Sequence, residues 1–343
     1  MTTDRKDAVP FWRSGKAIAA FAGLIVLAFA LFFATRDGDD RAAQEAATLK
    51  IGDQRGGVQA LLRAAGELDH VPYKIEWALF PAASPLLEAL GAEAIDIGGV
   101  GGAPFAFAFA SGSKIKAVYA YRPDSARTGK ASAIVVRKDS PIRTLADLKG
   151  KKLATIRGSA GQDLALKLLE KAGLQPNDVE WVYLHNGESK AALAAGSIDA
   201  WSTWGSYVGI AVLEDGDRIL VDGSGVPSGV GFYAATDAAI ANKHAILADF
   251  VERLTRARHW ATLHPREYAA ELAKETRLPF EVALFSISSY LGPTIPIDDR
   301  IVTEQSGIFE RYHRAGIIPN VPDVRGGYDS SFNDAVKRAQ AAP

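Results

Sequence analysis

Four short segments carry the residue types needed to grip a small anion. Asp53-Gln54-Arg55-Gly56-Gly57 and Gly158-Ser159-Ala160-Gly161-Gln162 each follow a short apolar strand and open a helical stretch. Gly98-Gly99-Val100-Gly101-Gly102-Ala103-Pro104 does the same, and Pro104 suits the first turn of a helix over residues 105–110. The fourth is Trp201-Ser202-Thr203-Trp204-Gly205-Ser206-Tyr207. Small residues at a helix start leave backbone N–H groups free to meet an anion, and the helix dipole favours its charge. Gly101, Gly102, Ser159, Ala160 and Gly161 are candidates on that ground, with no lysine cluster required. Arg55 in the first turn and Arg122 at a strand end could each pair with an anion bidentately. Trp204 and Tyr207, three residues apart, could wall the apolar part of a ligand. Each feature also has a plainer reading, because glycine turns satisfy backbone geometry, single arginines are usually solvated and aromatic pairs usually fill cores.

Duplication of the pattern is what argues for a site. Thr48 to Gly52 (TLKIG) is a strand leading into a glycine turn and a helical stretch over 58–68. Lys152 to Ile156 (KLATI) repeats the sentence, with helical apolar spacing over 162–172 and Gly173 as its stop. LLEALGAEAIDIGGVG and KAALAAGSIDAWSTWG share a second pattern of helix, small-residue stop, Ile-Asp and short strand, and Asp96 and Asp199 lie 103 residues apart. That offset exceeds the roughly 20–50 residues of solenoid units and suits two related α/β lobes. Further strands are expected at 73–80, 115–121, 132–136, 180–184, 218–221 and 231–235, alternating with helices as in mostly parallel sheets. After about Asp237 the pattern turns helical (246–263, 267–276, 281–290 and 301–314), so these helices should return to the first sheet. The expected divisions are 48–130 for the first lobe, 131–235 for the second and 236–343 for the helical return, with hinges near Lys130 and Thr236. In open α/β sheets ligands sit at the carboxyl ends of strands, where the four turns lie.

Composition removes many alternatives. Lys+Arg 39 against Asp+Glu 40 leaves no basic field for a nucleic-acid backbone. The absence of cysteine excludes disulfides, thiolate metal sites, Fe–S clusters and a cysteine nucleophile. No G-x-S-x-G, H-E-x-x-H or G-x-x-x-x-G-K-[ST] string occurs, and the histidines lack ligand spacing, so neither catalysis nor a cofactor or metal is expected. The Asp298-Asp299 pair after Pro296 reads as a helix cap. At the N-terminus an apolar run over 17–34 follows Arg5, Lys6, Arg13 and Lys16 and precedes Asp37, Asp39 and Asp40. That asymmetry places the body outside the cytoplasmic membrane, with residues 1–47 as a cleaved signal peptide or an uncleaved anchor with its linker.

These features outline an extracytoplasmic binding protein, and particular strings make the match narrower. LKIGDQRG at 49–56, PLLEALGAEAIDIGGVG at 85–101, SPIRTLADLKGKKLATIRGSAG at 140–161 and AALAAGSIDAWSTW at 191–204 resemble the nitrate/sulfonate/taurine group of ABC-transporter substrate-binding proteins, and among them the aliphatic-sulfonate binders. The resemblance runs over 48 to about 325. It implies an α/β type II periplasmic-binding clamshell that closes on a small sulfonate-like anion and hands it to an ABC permease, working as a monomer in the periplasm or on the outer face of the cytoplasmic membrane. By motif it implies ligand contacts from Gln54, Gly101, Ser159 and Trp204. The glycines at 99, 101 and 102, where the group usually has hydroxyl or acidic side chains, imply more reliance on backbone donors. Phe105, among alternating phenylalanines, could widen an apolar pocket, which points to a bulkier or more apolar ligand than taurine. Nitrate or bicarbonate remains an alternative, as does a catalytic or sensor derivative of the clamshell.

Overall fold

Alternating strand and helix patterns build two sheets. The computed structural model describes residues 47–123, 129–227, 229–287 and 290–341; the apolar run over 17–34 lies outside the described residues. Strands β1 (Thr48–Gln54), β2 (Lys74–Phe80), β3 (Ile97–Gly101), β4 (Ile115–Tyr121), β10 (Gly231–Thr236) and the short β11 (Thr294–Ile295) form the first sheet, in the order β11-β4-β10-β3-β1-β2. Strands β5 (Ser132–Val136), β6 (Lys152–Thr155), β7 (Glu180–Tyr183), β8 (Ala200–Trp204) and β9 (Arg218–Asp222) form the second, in the order β7-β6-β8-β5-β9. Between them come helices α1 (Gly57–Ala64), α2 (Ala83–Gly91), α3 (Gly102–Ala110), α4 (Ala160–Lys171), α5 (Asn186–Ala194) and α6 (Ser206–Gly209). The return consists of α7 (Asp237–Asn242), α8 (His244–Leu263), α9 (Pro265–Thr276), α10 (Phe280–Ile287), α11 (Asp299–Arg314) and α12 (Asn333–Ala341). Among the described residues no helix is long and apolar enough to cross a membrane.

Both sheets are mixed, which corrects the expectation of mostly parallel pairing. Parallel pairs join β1 to β3, β6 to β7 and β6 to β8. Antiparallel pairs join β10 to β3 and β4, and β5 to β8 and β9. The short β11 also runs antiparallel to β4, and in each sheet the strand that enters from the other sheet is reversed. It needs no helical crossover, so it can run against its neighbours. The same pairing moves the second boundary: Gly231–Thr236 belongs to the first sheet, so the return comes before β10 and not near Thr236. Helix spacing reports burial but not which sheet a lone strand joins.

The repeated Ile-Asp has a structural job. Asp96 Oδ2 accepts the Lys50 backbone N–H at 2.7 Å, and Asp199 Oδ2 accepts that of Lys152 at 2.8 Å, so each carboxylate clips its strand to a parallel neighbour, β3 to β1 and β8 to β6. On β5 period-two alternation sends Ala133 and Val135 to one core and Ile134 and Val136 to the other. Leu247, Phe250, Val251 and Leu254 of α8 pack on Leu49, Ile51 and Ile97, so the helical return does cover the first sheet. A further cluster joins the two lobes: Ala103 and Ala106 of α3 meet Leu166 of α4 and Ile308, Phe309 and Tyr312 of α11. There Tyr312 Oη donates to Ser159 O at 2.9 Å, and Arg311 pairs with Asp163 at 2.6 Å.

Candidate functional site

The carboxyl ends of β1, β3 and β8 and the start of α4 converge on one cavity of about 230 Å³ lined by both lobes. That is below the roughly 300–1,000 Å³ of drug-sized sites, so the occupant is small. Gln54, Gly101, Gly102, Ser159, Ala160 and Trp204 line it. Gln54 ends β1, and its Nε2 donates to Gly99 O at 2.7 Å, which fixes the amide across the sheet. The Gly102 N–H is already used by Val230 O at 2.9 Å, so this glycine serves the crossing segment and not an anion. Ser159 caps α4 with a neutral hydroxyl, its Oγ accepting the Gln162 N–H at 3.2 Å, and the acidic residue of the first turn is Asp163. Behind it Lys167 and Arg311 share the single carboxylate of Asp163, at 2.8 and 2.6 Å, leaving one positive charge in excess.

Four sequence candidates stand elsewhere. Gly161 packs on β8, where an added Cβ would come within 2.6 Å of Ser202 O, so close approach and not ligand contact requires the glycine. Arg122 is held bidentately by Glu304 at 2.9 and 2.5 Å, which neutralises it. Arg55 takes a left-handed backbone (φ 56°) and lays its guanidinium 4.7 Å from the centre of the Tyr207 ring. Tyr207 Oη in turn donates to Pro81 O at 3.3 Å, so this aromatic pair bridges the lobes. Phe105 is fully buried between Phe232 and Tyr328, with ring centres 5.7 and 5.4 Å away, and does not widen the cavity.

The cavity's charged groups are ones the sequence reading did not single out. Arg258 of α8 lines it, is 6% exposed, and makes no ion pair among the described residues. Its guanidinium lies 3.4 Å from the centre of the Tyr121 ring, Nη2 donates to Tyr290 O, and Nε has no partner. Burying a cation without a counter-charge is costly, which makes it a ready partner for an incoming anion. Its signal lay in the helix period: Leu247, Phe250, Val251, Leu254, Ala257 and Ala261 form a buried stripe, and Arg258 falls on it. Tyr121, Tyr233, Tyr268 and Tyr290 complete the wall, their hydroxyls held protonated by burial.

Asp53 also lines the cavity and is 2% exposed. Its Oδ1 accepts the Val58 N–H at 3.1 Å and its Oδ2 that of Gln59 at 2.9 Å, so it caps α1. Burial pushes its carboxyl up to about 7, against the pull of the Gln59, Val58 and Gly57 amides, with Glu275 adding to the rise. The first helix start is therefore closed by the chain's own carboxylate.

Residues 80–268, more than half of the chain, match the NMT1/THI5-like family. The chain belongs to that family. It is 33% identical over 285 residues to an aliphatic sulfonates-binding protein of Escherichia coli (strain K12), covering 81% of this chain and 87% of the relative. It is 29% identical over 324 residues to a protein of the same description from Bacillus subtilis (strain 168), covering 90% and 95%. The alkanesulfonate-binding protein SsuA from Xanthomonas axonopodis pv. citri, solved bound to MOPS, superposes with a TM-score of 0.74 at 29% identity, over 82% of this chain and 98% of that one. The two-lobed α/β architecture is thus that of the periplasmic sulfonate-binding proteins.

Proposed function

We propose that this chain is the extracytoplasmic solute-binding component of an ABC importer and takes an organosulfonate in the cavity between its lobes. The observation that carries the reading is Arg258: a buried guanidinium with no acidic partner among the described residues, lining a cavity shared with the start of α4. A sulfonate there accepts from a planar fork on one lobe and from the first backbone N–H groups of α4 on the other, which an α-helix leaves without internal partners. Trp204 and the tyrosines wall an organic tail, which favours an organosulfonate over nitrate or bicarbonate. The relatives named as binding proteins support uptake over turnover. Because each lobe supplies part of the site, the anion binds the closed state preferentially and shifts the population towards it, with hinges where the chain passes from β4 to β5 and from β9 to β10. The segment over 17–34 delivers or tethers the body to the outer face of the membrane, where a permease receives the ligand from a monomeric carrier.

A thermal-shift series on the full-length chain with alkanesulfonates, aryl sulfonates, alkyl sulfates, nitrate and bicarbonate tests this. A ligand at about 100 times its dissociation constant adds roughly 2.7 kcal/mol to stability. Sulfonates should raise the midpoint and nitrate should not; a shift with nitrate or bicarbonate alone would replace the substrate class.

A further inference from the structure

We propose that Arg311, Asp163 and Lys167 form a reversible clasp between the lobes, which sets how much of the ligand-free chain is closed. This rests on the hinge motion proposed above and names the side chains that control it. Helix α4 turns Leu164, Leu168 and Leu169 into the core of its own lobe, beside Ile134 and Leu153. Asp163, Leu166 and Lys167, at three- and four-residue spacing, share another side of that helix. There Leu166 meets Ala103 and Ala106 of α3, small side chains that offer α4 a smooth surface to leave and regain. Helix α11 is fixed to the first lobe: Ile301 packs with Phe105 and Phe232, and Ile297, just before the helix, exchanges two hydrogen bonds with Asn333 of α12.

Asp163 is where the two lobes meet through charge. Its Oδ1 accepts from Arg311 Nη1 of the first lobe at 2.6 Å, and its Oδ2 lies 2.8 Å from Lys167 Nζ of its own helix. The carboxylate is 8% exposed and needs a counter-charge. Lys167 stays with it when the lobes part, while Arg311 turns to water. Separation therefore orphans no buried charge, and the contact can open and remake. Two cations on one carboxylate also compete, so Lys167 weakens the hold of Arg311. The other polar contacts across this seam are single donors on carbonyls, Tyr312 Oη to Ser159 O at 2.9 Å and Arg157 Nη2 to Ile317 O at 3.3 Å, and water can replace either.

The competition gives the two cations opposite effects, which single-molecule energy transfer on the full-length chain can read. The chain has no cysteine, so Glu88→Cys on the first lobe and Lys138→Cys on the second, both exposed, take a dye pair. Without ligand, Arg311→Met should lower the closed-to-open ratio about tenfold, and Lys167→Met should raise it about threefold or more. Asp163→Asn should match Arg311→Met and, when combined with Lys167→Met, abolish the rise. Should Arg311→Met unfold the chain, Arg311→Gln serves the same comparison. The clasp is overturned, and the hinge motion kept, if butanesulfonate moves the ratio and no variant does. Lys167→Met acting in the same direction as Arg311→Met, or a rise that survives Asp163→Asn, would overturn it equally. If the variants behave as stated and butanesulfonate leaves the ratio unchanged, the clasp holds and the sulfonate reading falls. If neither variants nor butanesulfonate change the ratio, the hinge motion falls and the clasp with it.

Discussion

The turns after β1 and β6 are two copies of one strand-turn-helix pattern, yet they end in opposite electrostatic states. After β6 the α4 start is capped by the neutral hydroxyl of Ser159; after β1 the α1 start is capped by the carboxylate of Asp53. The order of strand, turn and helix repeats, but α1 starts from a left-handed Gly56 (φ 75°) and α4 from an extended Ser159 (φ −88°), and the charge differs as well. An anion is therefore welcome at the second-lobe turn and excluded from the first, where Arg258 from a distant helix supplies the positive charge instead. The cap residue, not the glycines, decides what a helix start can bind.

The asymmetry can be broken at several points. Arg258→Met should cost about 2–5 kcal/mol of sulfonate binding, at least about 30-fold in Kd by calorimetry, because it removes the cation that pairs with the ligand. Asp53 should make stability fall with rising pH. Its folded value of about 7 lies above its ordinary 3.8, so the folded chain holds a proton that the unfolded chain releases in between. Its contribution is full below about pH 4 and lost by about pH 7, by up to about 4 kcal/mol. Denaturant melts of the wild type and Asp53→Asn at pH 5 and pH 8 check this, since the variant should lack that part of the slope. Ser159→Asp places a carboxylate at the α4 start, as Asp53 does at the α1 start: an aspartate at the N-cap holds a helix as well as a serine, so melting should hold within about 1 kcal/mol while sulfonate affinity drops about tenfold or more. The smallest effect is expected from Arg122→Ala, which breaks a half-exposed pair with Glu304 and should change stability by about 1 kcal/mol or less and Kd by under about twofold.

The sequence exposed the scaffold more fully than the site. Strand and helix periods placed β4 and β5 at their observed ends, and the 103-residue offset between Asp96 and Asp199 marked a duplicated lobe because the same clip to a neighbouring strand recurs in both. Asp298 was readable as a cap, and its Oδ1 accepts the Arg300 and Ile301 amides. What failed was assignment across long separations: that β10 joins the first sheet, that Glu304 neutralises Arg122, and that Tyr207 leans on Arg55 and Pro81. Local spacing carries no information about partners more than a hundred residues away. Arg258 sits between these cases, since its place on an apolar stripe was visible although its cavity was not.

The most direct test is a crystal structure of the chain with butanesulfonate. The sulfonate oxygens should lie about 3 Å from the Arg258 guanidinium and from the Ala160 backbone nitrogen, with Asp53 still capping α1. A sulfonate seated on the Gly57 to Gln59 amides with Asp53 displaced, or on Arg122 at the rim, would contradict the account.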